Sequence, residues 1–535
     1  MANPKRKDIN VATLRETITT HFGTDAVPGA VLSPATVTEL HLPRERFEEA
    51  ASVLKKAGAR LAAQWAVDET TLGRAFAVYA CYALDSEYLL VRCAVPLDDP
   101  TFPSLTKKYL PAFRFERQIE SLMGLVPTGH GHSDHRPWIK FEDWPVDAWP
   151  LRKNFDSAQR LPRVPGEYQW ARVTGEGVYE IPVGPVHAGI IEPGHFRFQA
   201  MGEDIINLEE RLGYVHKGIE KRFESLSWEE GVRLAGRVSG DSTVAHALTY
   251  CRAVEALCGC QPPPRAHWLR ALFLERERLA NHLGDIAAIA NDAAFAFLFY
   301  QFTRLKETVL RTNKRLFGHR YLMDRIMPGG VNVDLLPAGV DLIREELDGL
   351  QVEFERLITI YDLSPSLEDR LRTTGILSPE LARDLGTVGF VARASGQPLD
   401  CRIQAPFPPY DQIPPRLVVL DSCDVHARAW VRIEEVRDSC RLVREILARL
   451  PVGGLKTTLQ PPAADKGGFA VVEGWRGEIV YWLHSGQAGE INRCMIRDPS
   501  SVNWLGLEQA VLGNIVPDFP LCNKSFNQSY SGHDL

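Results

Sequence analysis

Ten cysteines are spread along the 535-residue sequence, and their spacing bears on which metal chemistry the chain could support. They stand at positions 81, 93, 251, 258, 260, 401, 423, 440, 494 and 522. No two of them form a CxxC pair, the spacing with which zinc sites and redox-active dithiols are usually built. The sequence therefore predicts neither a disulfide framework nor a metal centre held by paired thiolates.

Two other residues could handle protons. His195 stands in a loop–strand segment, EPGHFRF, and Asp292 stands in an apolar stretch, IANDAAF. An imidazole titrates near neutral pH and could deliver a proton, although a histidine on a strand can equally be a structural residue with satisfied hydrogen bonds. A carboxylate in an apolar helix is costly unless it has a partner, so we expect a group that pairs with Asp292.

Charged residues also cluster on two helical segments. The segment RALFLERERLANHL, residues 270–283, carries Glu275, Glu277, Arg278 and His282. Their spacing suits surface pairs at i,i+3 and i,i+4, but the same residues could line an internal cavity. The segment VHKGIEKR carries His216, Lys217, Glu220 and Lys221, which could be a solvated helix start or a surface for a partner.

Three histidines in one Gly/Pro/Ser-rich stretch could suggest a metal. They are His130, His132 and His135. The stretch lacks the helical spacing that would bring the three rings together, and we expect a loop without metal. The motifs GxGxxG, GxxxxGK[ST] and GxSxG are absent, so the sequence encodes no dinucleotide site, phosphate loop or serine-hydrolase elbow of the usual kind.

The elements that must position these residues follow from composition and periodicity. Hydrophobic residues make up 45% and charged residues 24%, with a net charge of −7, which excludes wholesale disorder and argues against an electrostatic nucleic-acid binder. Helical periods cover residues 44–64, 242–257, 264–299 and 303–317. Strand patterns cover 76–82 and 88–95, which form a predicted hairpin, and 178–184, 195–202 and 467–486.

The order of several segments resembles one superfamily. They are GPVHAGIIEPGHFRF…HKGIEKR (184–222), RALFLERERLANHL (270–283), VARASGQPLDCR (391–402) and VEGWRGEIVYWLHSG with VNWLGLEQAVLGN (472–514). Together they resemble the large subunit of formate-hydrogenlyase-type nickel-iron hydrogenases and the quinone-site, 49-kDa subunit of respiratory complex I. Residues 116–125 (ERQIESLMGL) and 131–155 resemble the small 30-kDa subunit of complex I, and formate-hydrogenlyase-type large subunits fuse both parts.

The resemblance implies an α+β protein of two domains. Residues 1–155 would form the α/β domain of the complex I small-subunit type, and 156–177, which lack periodicity, would form a linker. Residues 178–535 would form a helix-rich domain of the nickel-iron hydrogenase large-subunit type, with β elements at its ends.

The family's metal ligands are missing from their places. A nickel-iron site needs four soft thiolates, which the family supplies as two CxxC pairs. The matching positions here are Ser239 and Ser242 in RVSGDSTVAH, and Ser529 and Gly532 in SFNQSYSGHDL. Cys251 and Cys522 are too far along the chain to replace them. We therefore expect no nickel-iron centre and no cofactor bound by this chain alone.

The complex I side of the resemblance implies a quinone-type cavity in the emptied site. His195 matches the loop histidine that meets the quinone head group, and Asp292 matches the aspartate that holds that histidine. Ser239, Gly240, Ser242 and Ser529 would line the cavity, with Glu277 and Arg278 in its wall. The family's quinone-bonding tyrosine is replaced by Gly240, so a grip on the head group by two donors is not expected.

The resemblance also implies partners. A small subunit with a [4Fe-4S] cluster would dock near His216, Lys217, Glu220 and Lys221, and antiporter-like membrane subunits would join through the assembly. The longest apolar stretch, residues 286–299, is too short for a membrane span and carries Asn291 and Asp292. We expect a cytoplasmic chain, without signal peptide or nucleic-acid partner, held on the inner membrane by other subunits.

Three functions remain open at this point. The chain could be an oxidoreductase subunit, active only within a complex of NADH–quinone oxidoreductase type, that contributes a quinone or proton-coupling cavity. It could instead be a non-redox scaffold that couples a membrane ion-translocating arm to another enzyme. The third candidate is the nickel-iron hydrogenase large subunit that resemblance alone would name.

Overall fold

A mixed five-stranded sheet forms the centre of the N-terminal part. The computed structural model describes residues 13–31, 37–131, 133–139, 144–145, 147–162, 168–188 and 191–535. The elements of the N-terminal part are β1 (Val27–Val31), β2 (Val37–Leu42), β3 (Arg60–Asp68), β4 (Phe76–Leu84), β5 (Glu87–Val95), β6 (Thr101–Pro103), β7 (Val126–Thr128), α1 (Leu14–Phe22), α2 (Phe47–Lys56) and α3 (Ala112–Met123). The strand order is β1-β2-β5-β4-β3, with β2 and β5 parallel and the other neighbours antiparallel.

The predicted hairpin is confirmed, because β4 and β5 pair around Asp85 and Ser86. The predicted helix over residues 44–64 is wrong in its second half. Helix α2 ends at Lys56, Gly58 adopts a left-handed φ of 89°, and the chain continues as β3. Strand β3 is buried on both faces, and this burial outweighs the helical period of its alanines and leucine.

Helices dominate the rest of the chain. They are α4 (Ile219–Phe223), α5 (Trp228–Ala235), α6 (Thr243–Cys258), α7 (Pro264–Asp292), α8 (Ala296–Phe317), α9 (Pro337–Asp362), α10 (Pro365–Leu371), α11 (Pro379–Asp384), α12 (Gly389–Ala394), α13 (Cys401–Gln404), α14 (Val425–Arg449), α15 (Ser500–Ala510), α16 (Phe519–Phe526) and α17 (Tyr530–Asp534). The strands are β8 (Val178–Val183), β9 (His195–Met201), β10 (Asp204–Arg211), β11 (Ile326–Met327), β12 (Gly330–Val331), β13 (Gly467–Gly474), β14 (Gly477–Ser485) and β15 (Ile491–Arg497). The predicted α+β class is confirmed, and β8–β10 and β13–β15 form antiparallel sheets.

The long helix predicted over residues 264–299 is two helices. Helix α7 ends at Asp292, and Ala294 has a left-handed φ of 63°. The amide of Phe295 donates to the carbonyl of Ala290 at 2.8 Å and closes the turn before α8. Asp292 therefore lies at a helix end and not in a helix interior.

The two parts of the chain share an apolar layer. One face of the N-terminal sheet packs on its own helices, and the other packs on β13–β15. In that second layer the ring of Trp482 lies 5.5 Å from Trp65 and 5.0 Å from Tyr79. Residues 156–162 and 168–177 carry no helix or strand, and the domain boundaries at 155 and 177 stay predictions.

Candidate functional site

The loop before α6 and the last residues of the chain meet where the resemblance places the four thiolates. Ser239 Oγ lies 2.9 Å from Ser529 Oγ, and Ser529 Oγ accepts the amide of Gly532 at 2.9 Å. Asp241, in the same loop, connects Ser242 to this pair of hydroxyls. Its Oδ1 lies 2.9 Å from Ser239 Oγ and 3.5 Å from Ser242 Oγ. Two segments that are distant in sequence thus form one cluster, which we call the serine cluster.

The serine cluster does not fit a nickel-iron centre. Hydroxyl oxygens are hard ligands that lose their protons far less readily than thiols, whereas nickel and low-valent iron are held by thiolates. A Cβ atom added to Gly532 would lie only 2.6 Å from Cγ of Asp498, so the fourth ligand position leaves no room for a side chain.

An arginine–aspartate pair closes one side of the serine cluster. Nη1 and Nη2 of Arg476 donate to the two carboxylate oxygens of Asp241 at 2.6 and 2.7 Å, and its Nε donates to the carbonyl of Asn527 at 2.6 Å. The guanidinium also stacks on Trp475 at 3.9 Å. Burial alone would raise the pKa of Asp241, but the attraction of Arg476 outweighs it and lowers the pKa.

A cavity of about 270 Å³ opens beside the serine cluster. Its walls are formed by Ile191, Glu192, Ser239, Gly240, Asp241, Arg476, Asn523, Lys524, Asn527, Gln528, Ser529 and Tyr530, and Ser242 is not among them. The side chain of Lys524 makes no hydrogen bond or ion pair with the residues that the structure describes. Oε1 of Gln528, a residue only 4% exposed, is also without a partner in that part of the chain. The cavity therefore offers a cation to a polar ligand, and an unsatisfied amide oxygen lies buried in its wall.

His195 and Asp292 do not form the predicted hydrogen-bonded pair. Nδ1 of His195 lies 3.3 Å from the carbonyl oxygen of Gly184, its ring packs 4.8 Å from Trp170, and its buried Nε2 has no partner among the described residues. Asp292 accepts a long hydrogen bond of 3.4 Å from Asn291. The predicted hydrogen bond between the two side chains is therefore wrong. Asp292 is the last residue of α7, whereas His195 is the first residue of β9.

Each member of that pair retains a feature that suits proton transfer. Burial lowers the pKa of His195, which favours the neutral imidazole at neutral pH. Burial raises the pKa of Asp292, and the ammonium of Lys524 partly opposes that rise. Asp292 is thus electrostatically linked to a residue of the cavity wall, and the proton-handling roles of both residues stay predictions.

Glu277 and Arg278 are buried, so the interpretation as surface pairs is wrong. Glu277 accepts the amides of Val244 and Ala245 at 2.7 and 3.0 Å and anchors the start of α6, directly after the serine cluster. Burial raises the pKa of Glu277 to about 8. Arg278 contacts Glu435 at 3.1 Å and the carbonyl of Glu473 at 2.7 Å. Neither residue lines the cavity, and both act on it only through the elements that they hold in place.

A buried histidine–aspartate pair supports the cluster, and sequence reasoning missed it. Nε2 of His246 lies 2.9 Å from Oδ2 of Asp498, and Nδ1 lies 3.0 Å from the hydroxyl of Tyr481. Burial alone would raise the pKa of Asp498, but hydrogen bonds from His246 and Ser500 lower it to about 2. Asp241 and Arg476 were missed as well, although Asp241 lies between the two serine positions and Arg476 lies in the recognised VEGWRGEIV segment.

The predicted partner surface near α4 is tied to the C-terminus. Nδ1 of His216 lies 2.7 Å from the carbonyl of Asp534, and Lys217 donates to Ser531. Glu220 is 5% exposed and accepts from Arg493 and from the amide of Ile496, both at 3.2 Å. Lys221 pairs with Glu224 at 2.9 Å. A freely solvated helix start is therefore wrong, and the partner role stays a prediction.

The described residues contain neither a cluster of metal ligands nor a helix suited to span a membrane. No three His, Cys, Asp or Glu side chains converge there on a point that a metal could occupy. His132 lies outside the described residues, while Nδ1 of His135 lies 2.8 Å from Glu120. None of the described helices combines the length and the apolar character needed to cross a bilayer.

Comparison with known proteins gives matches over both parts of the chain. Residues 40–160 match the respiratory-chain NADH dehydrogenase 30 Kd subunit family, and residues 292–465 match the 49 Kd subunit family. Formate hydrogenlyase subunit 5 of Escherichia coli is 33% identical over 95% of this chain and 92% of that protein. Hydrogenase-4 component G of the same organism is 33% identical, over 87% of this chain and 82% of its own length.

A relative from the respiratory side covers less of the chain. The NADH-quinone oxidoreductase C/D protein of Bacteroides thetaiotaomicron is 28% identical over 72% of this chain and 76% of that protein. The 30 Kd match precedes the 49 Kd match, as do the segments that resemble these two subunits in the sequence. This chain belongs to the family of fused 30-kDa-like and 49-kDa-like subunits that includes formate hydrogenlyase subunit 5 and hydrogenase-4 component G.

Proposed function

We propose that this chain is a subunit of a membrane-associated assembly of the hydrogenase or complex I type and contains no nickel-iron centre. The relatives are named as subunits or components of formate hydrogenlyase, hydrogenase-4 and NADH-quinone oxidoreductase. The observation that carries the proposal is the serine cluster. Four ligand positions converge, but they hold three hydroxyls and, at Gly532, no side chain.

The cavity beside the serine cluster is then the place for quinone-type or proton-coupling chemistry. A quinone, when bound, supplies the redox chemistry and presents carbonyl oxygens that accept hydrogen bonds. The ammonium of Lys524 has no other partner among the described residues and can donate to such an oxygen. Asp292, with its raised pKa, can hold a proton next to Lys524, and the unpartnered Nε2 of His195 can accept one, because the ring proton on Nδ1 points to the carbonyl of Gly184.

The test is quinone reduction by the purified assembly with variants of the cavity. We expect Lys524→Gln to lower turnover at least tenfold and to weaken inhibitor binding, and His195→Ala and Asp292→Asn to lower turnover. Arg74→Gln is the control for loss of an exposed cation, since Arg74 pairs with Asp465 and does not line the cavity. Unchanged turnover and inhibitor binding in all three cavity variants would refute a working quinone site.

A non-redox scaffold is the second candidate, and the Arg476–Asp241 pair favours it. The two charges neutralise each other across two short hydrogen bonds, so neither Arg476 nor Asp241 is free to bind a ligand in the cavity. A scaffold would transmit movement between partners without using the cavity. In that case all cavity variants are silent, whereas variants at the partner surface abolish coupled activity.

We place the docking of the cluster-bearing small subunit at a basic groove beside α4 and α5. The groove is lined by Lys217, Ile219, Arg222, Ser225, Leu226, Glu230, Arg233, Leu234 and Arg237. Four cations beside the partly buried side chains of Leu226 and Leu234 suit an acidic, partly apolar partner surface. Reversing Arg233 and Arg237 to glutamate should abolish co-purification of the small subunit, and retained co-purification would remove the docking proposal. Antiporter-like membrane subunits would then join through the assembly.

A further inference from the structure

A second cavity lies away from the serine cluster, between the N-terminal sheet and helices α6 and α7. Its volume is about 440 Å³, within the range of small-molecule sites. Apolar side chains supply most of its wall, among them Val37, Phe407, Pro408, Phe469 and Val471. Transfer of an apolar ring or chain of a small molecule from water to such a wall would be favourable.

One guanidinium charge faces this apolar cavity. Arg252 of α6 donates through Nη1 to the carbonyl of Val471, and its guanidinium lies 4.1 Å from the ring centre of Phe407. No carboxylate of the described residues comes within ion-pair distance of it. Burial lowers the pKa of Arg252 to about 10, so the group stays charged at neutral pH.

The nearest carboxylate is already neutralised. Glu255 binds Arg270 through both oxygens at 2.5 and 3.0 Å, and it also accepts the amide of Gly329 at 2.8 Å. Burial lowers the pKa of His267 in the cavity wall to about 4, so this ring is neutral. The side chains of His267 and Gln404 form no hydrogen bond with the described residues. The cavity thus has one unbalanced positive charge and two free polar side chains.

We propose that this cavity binds a small amphiphilic carboxylate, whose carboxylate pairs with Arg252 and whose apolar part packs on Phe407 and Phe469. A buried charge without a counterion is costly, and a bound anion removes that cost. The planar guanidinium can donate two parallel hydrogen bonds to a carboxylate. His267 and Gln404 can add further donors. This site shares no lining residue with the cavity beside the serine cluster, so the binding proposal does not depend on the proposed function.

The experiment is titration calorimetry of the purified full chain with three ligands of matched structure. Octanoate has both parts of the proposed ligand, 1-octanol lacks the charge and acetate lacks the chain. We expect saturable binding of octanoate and at least tenfold weaker binding of the other two. Equal binding of octanol and octanoate would overturn the proposal, because the charge would then be irrelevant.

Variants of the chain locate the site. Arg252→Gln should weaken octanoate binding at least tenfold, Arg252→Lys should restore part of the affinity, and Gln404→Trp should block the cavity while leaving the charge. Arg74→Gln, at an exposed arginine outside this cavity, should bind octanoate like the unmodified chain. Unfolding midpoints without ligand separate loss of binding from loss of folding. Unchanged octanoate affinity in folded Arg252→Gln and Gln404→Trp would refute the assignment.

Discussion

Two glycines of the serine cluster differ in what surrounds them. An added Cβ at Gly532 would meet Asp498 at 2.6 Å, whereas one at Gly240 would meet nothing within 4 Å. The carboxylate of Asp498 is held by His246 and by the amide of Ser500, so it cannot easily move aside. Space at the fourth ligand position is therefore already taken by a rigid charged group.

This contrast gives a prediction for two matched substitutions. Gly532→Ala should lower the free energy of unfolding by about 1–3 kcal/mol, because it overpacks a buried site. Gly240→Ala should change it by less than about 0.5 kcal/mol. Chemical denaturation of the two purified variants measures both values. Equal effects of the two substitutions would mean that the space beside Asp498 is not limiting.

The sequence identified some of the site residues and missed others for definite reasons. Ser239 and Ser529 were identified because the order of the surrounding segments assigns them to the family's ligand positions. That assignment does not depend on which contacts their side chains make. The His195–Asp292 pair failed because sequence order does not fix where a helix ends or which way a side chain turns. Asp241 and Arg476 were missed because, without coordinates, a charged residue in a loop or hairpin has no visible partner.

At the scale of elements, helix α6 starts on a carboxylate from α7. Glu277 accepts two amides at the start of α6, yet burial raises its pKa from 4.5 to about 8. Its folded pKa lies above the unfolded one, so the folded chain keeps a proton that the unfolded chain loses. The stability contributed by this proton is complete below pH 4.5 and is lost as the pH rises toward about 8.

A pH series of unfolding measurements tests that behaviour. Between pH 5 and 8 the free energy of unfolding should fall by about 1.4 kcal/mol per pH unit relative to Glu277→Gln, which cannot titrate. Glu230→Gln is the control, since Glu230 also caps a helix start but its serine partner lowers its pKa. Parallel pH curves for the unmodified chain and Glu277→Gln would contradict the assignment.

Element boundaries were harder to predict than element types. The hairpin of β4 and β5 followed from aromatic and branched residues around a short turn, and strand signals over residues 467–486 indicated the strands β13 and β14. The helices predicted over residues 44–64 and 264–299 were each too long. In the first, packing between two layers turned a helical pattern into strand β3. In the second, Ala294 took a left-handed conformation that nothing in its residue type announces.

At the scale of the whole molecule, Glu478 of β14 joins the two parts of the chain. It accepts from Arg60 and from the hydroxyl of Tyr88, both in the N-terminal sheet, and from Arg497 of β15. Burial would raise the pKa of Glu478, but Arg60 and Arg497 lower it to about 2. The stability from this carboxylate is therefore present above pH 4.5 and is lost as the pH falls toward about 2.

Removing this carboxylate should weaken the whole chain. Glu478→Gln leaves Arg60 and Arg497 buried without a counterion and should cost about 3–5 kcal/mol of unfolding free energy. It should also speed cleavage by protease within residues 156–162 and 168–177, because the N-terminal sheet is held less firmly on β13–β15. Unfolding midpoints and limited proteolysis measure the two effects. An unchanged midpoint together with an unchanged cleavage rate would mean that Glu478 does not join the parts.

A chain of the hydrogenase large-subunit type without thiolates at the serine cluster should bind no nickel. Elemental analysis of the assembly, purified with its partner subunits after growth with nickel, tests it most directly. We predict iron from the partner's iron–sulfur cluster, no nickel above background and no hydrogen evolution. Nickel in stoichiometric amount with this chain, lost when Ser239 and Ser529 are replaced by alanine, would show that the serine cluster does hold a nickel centre.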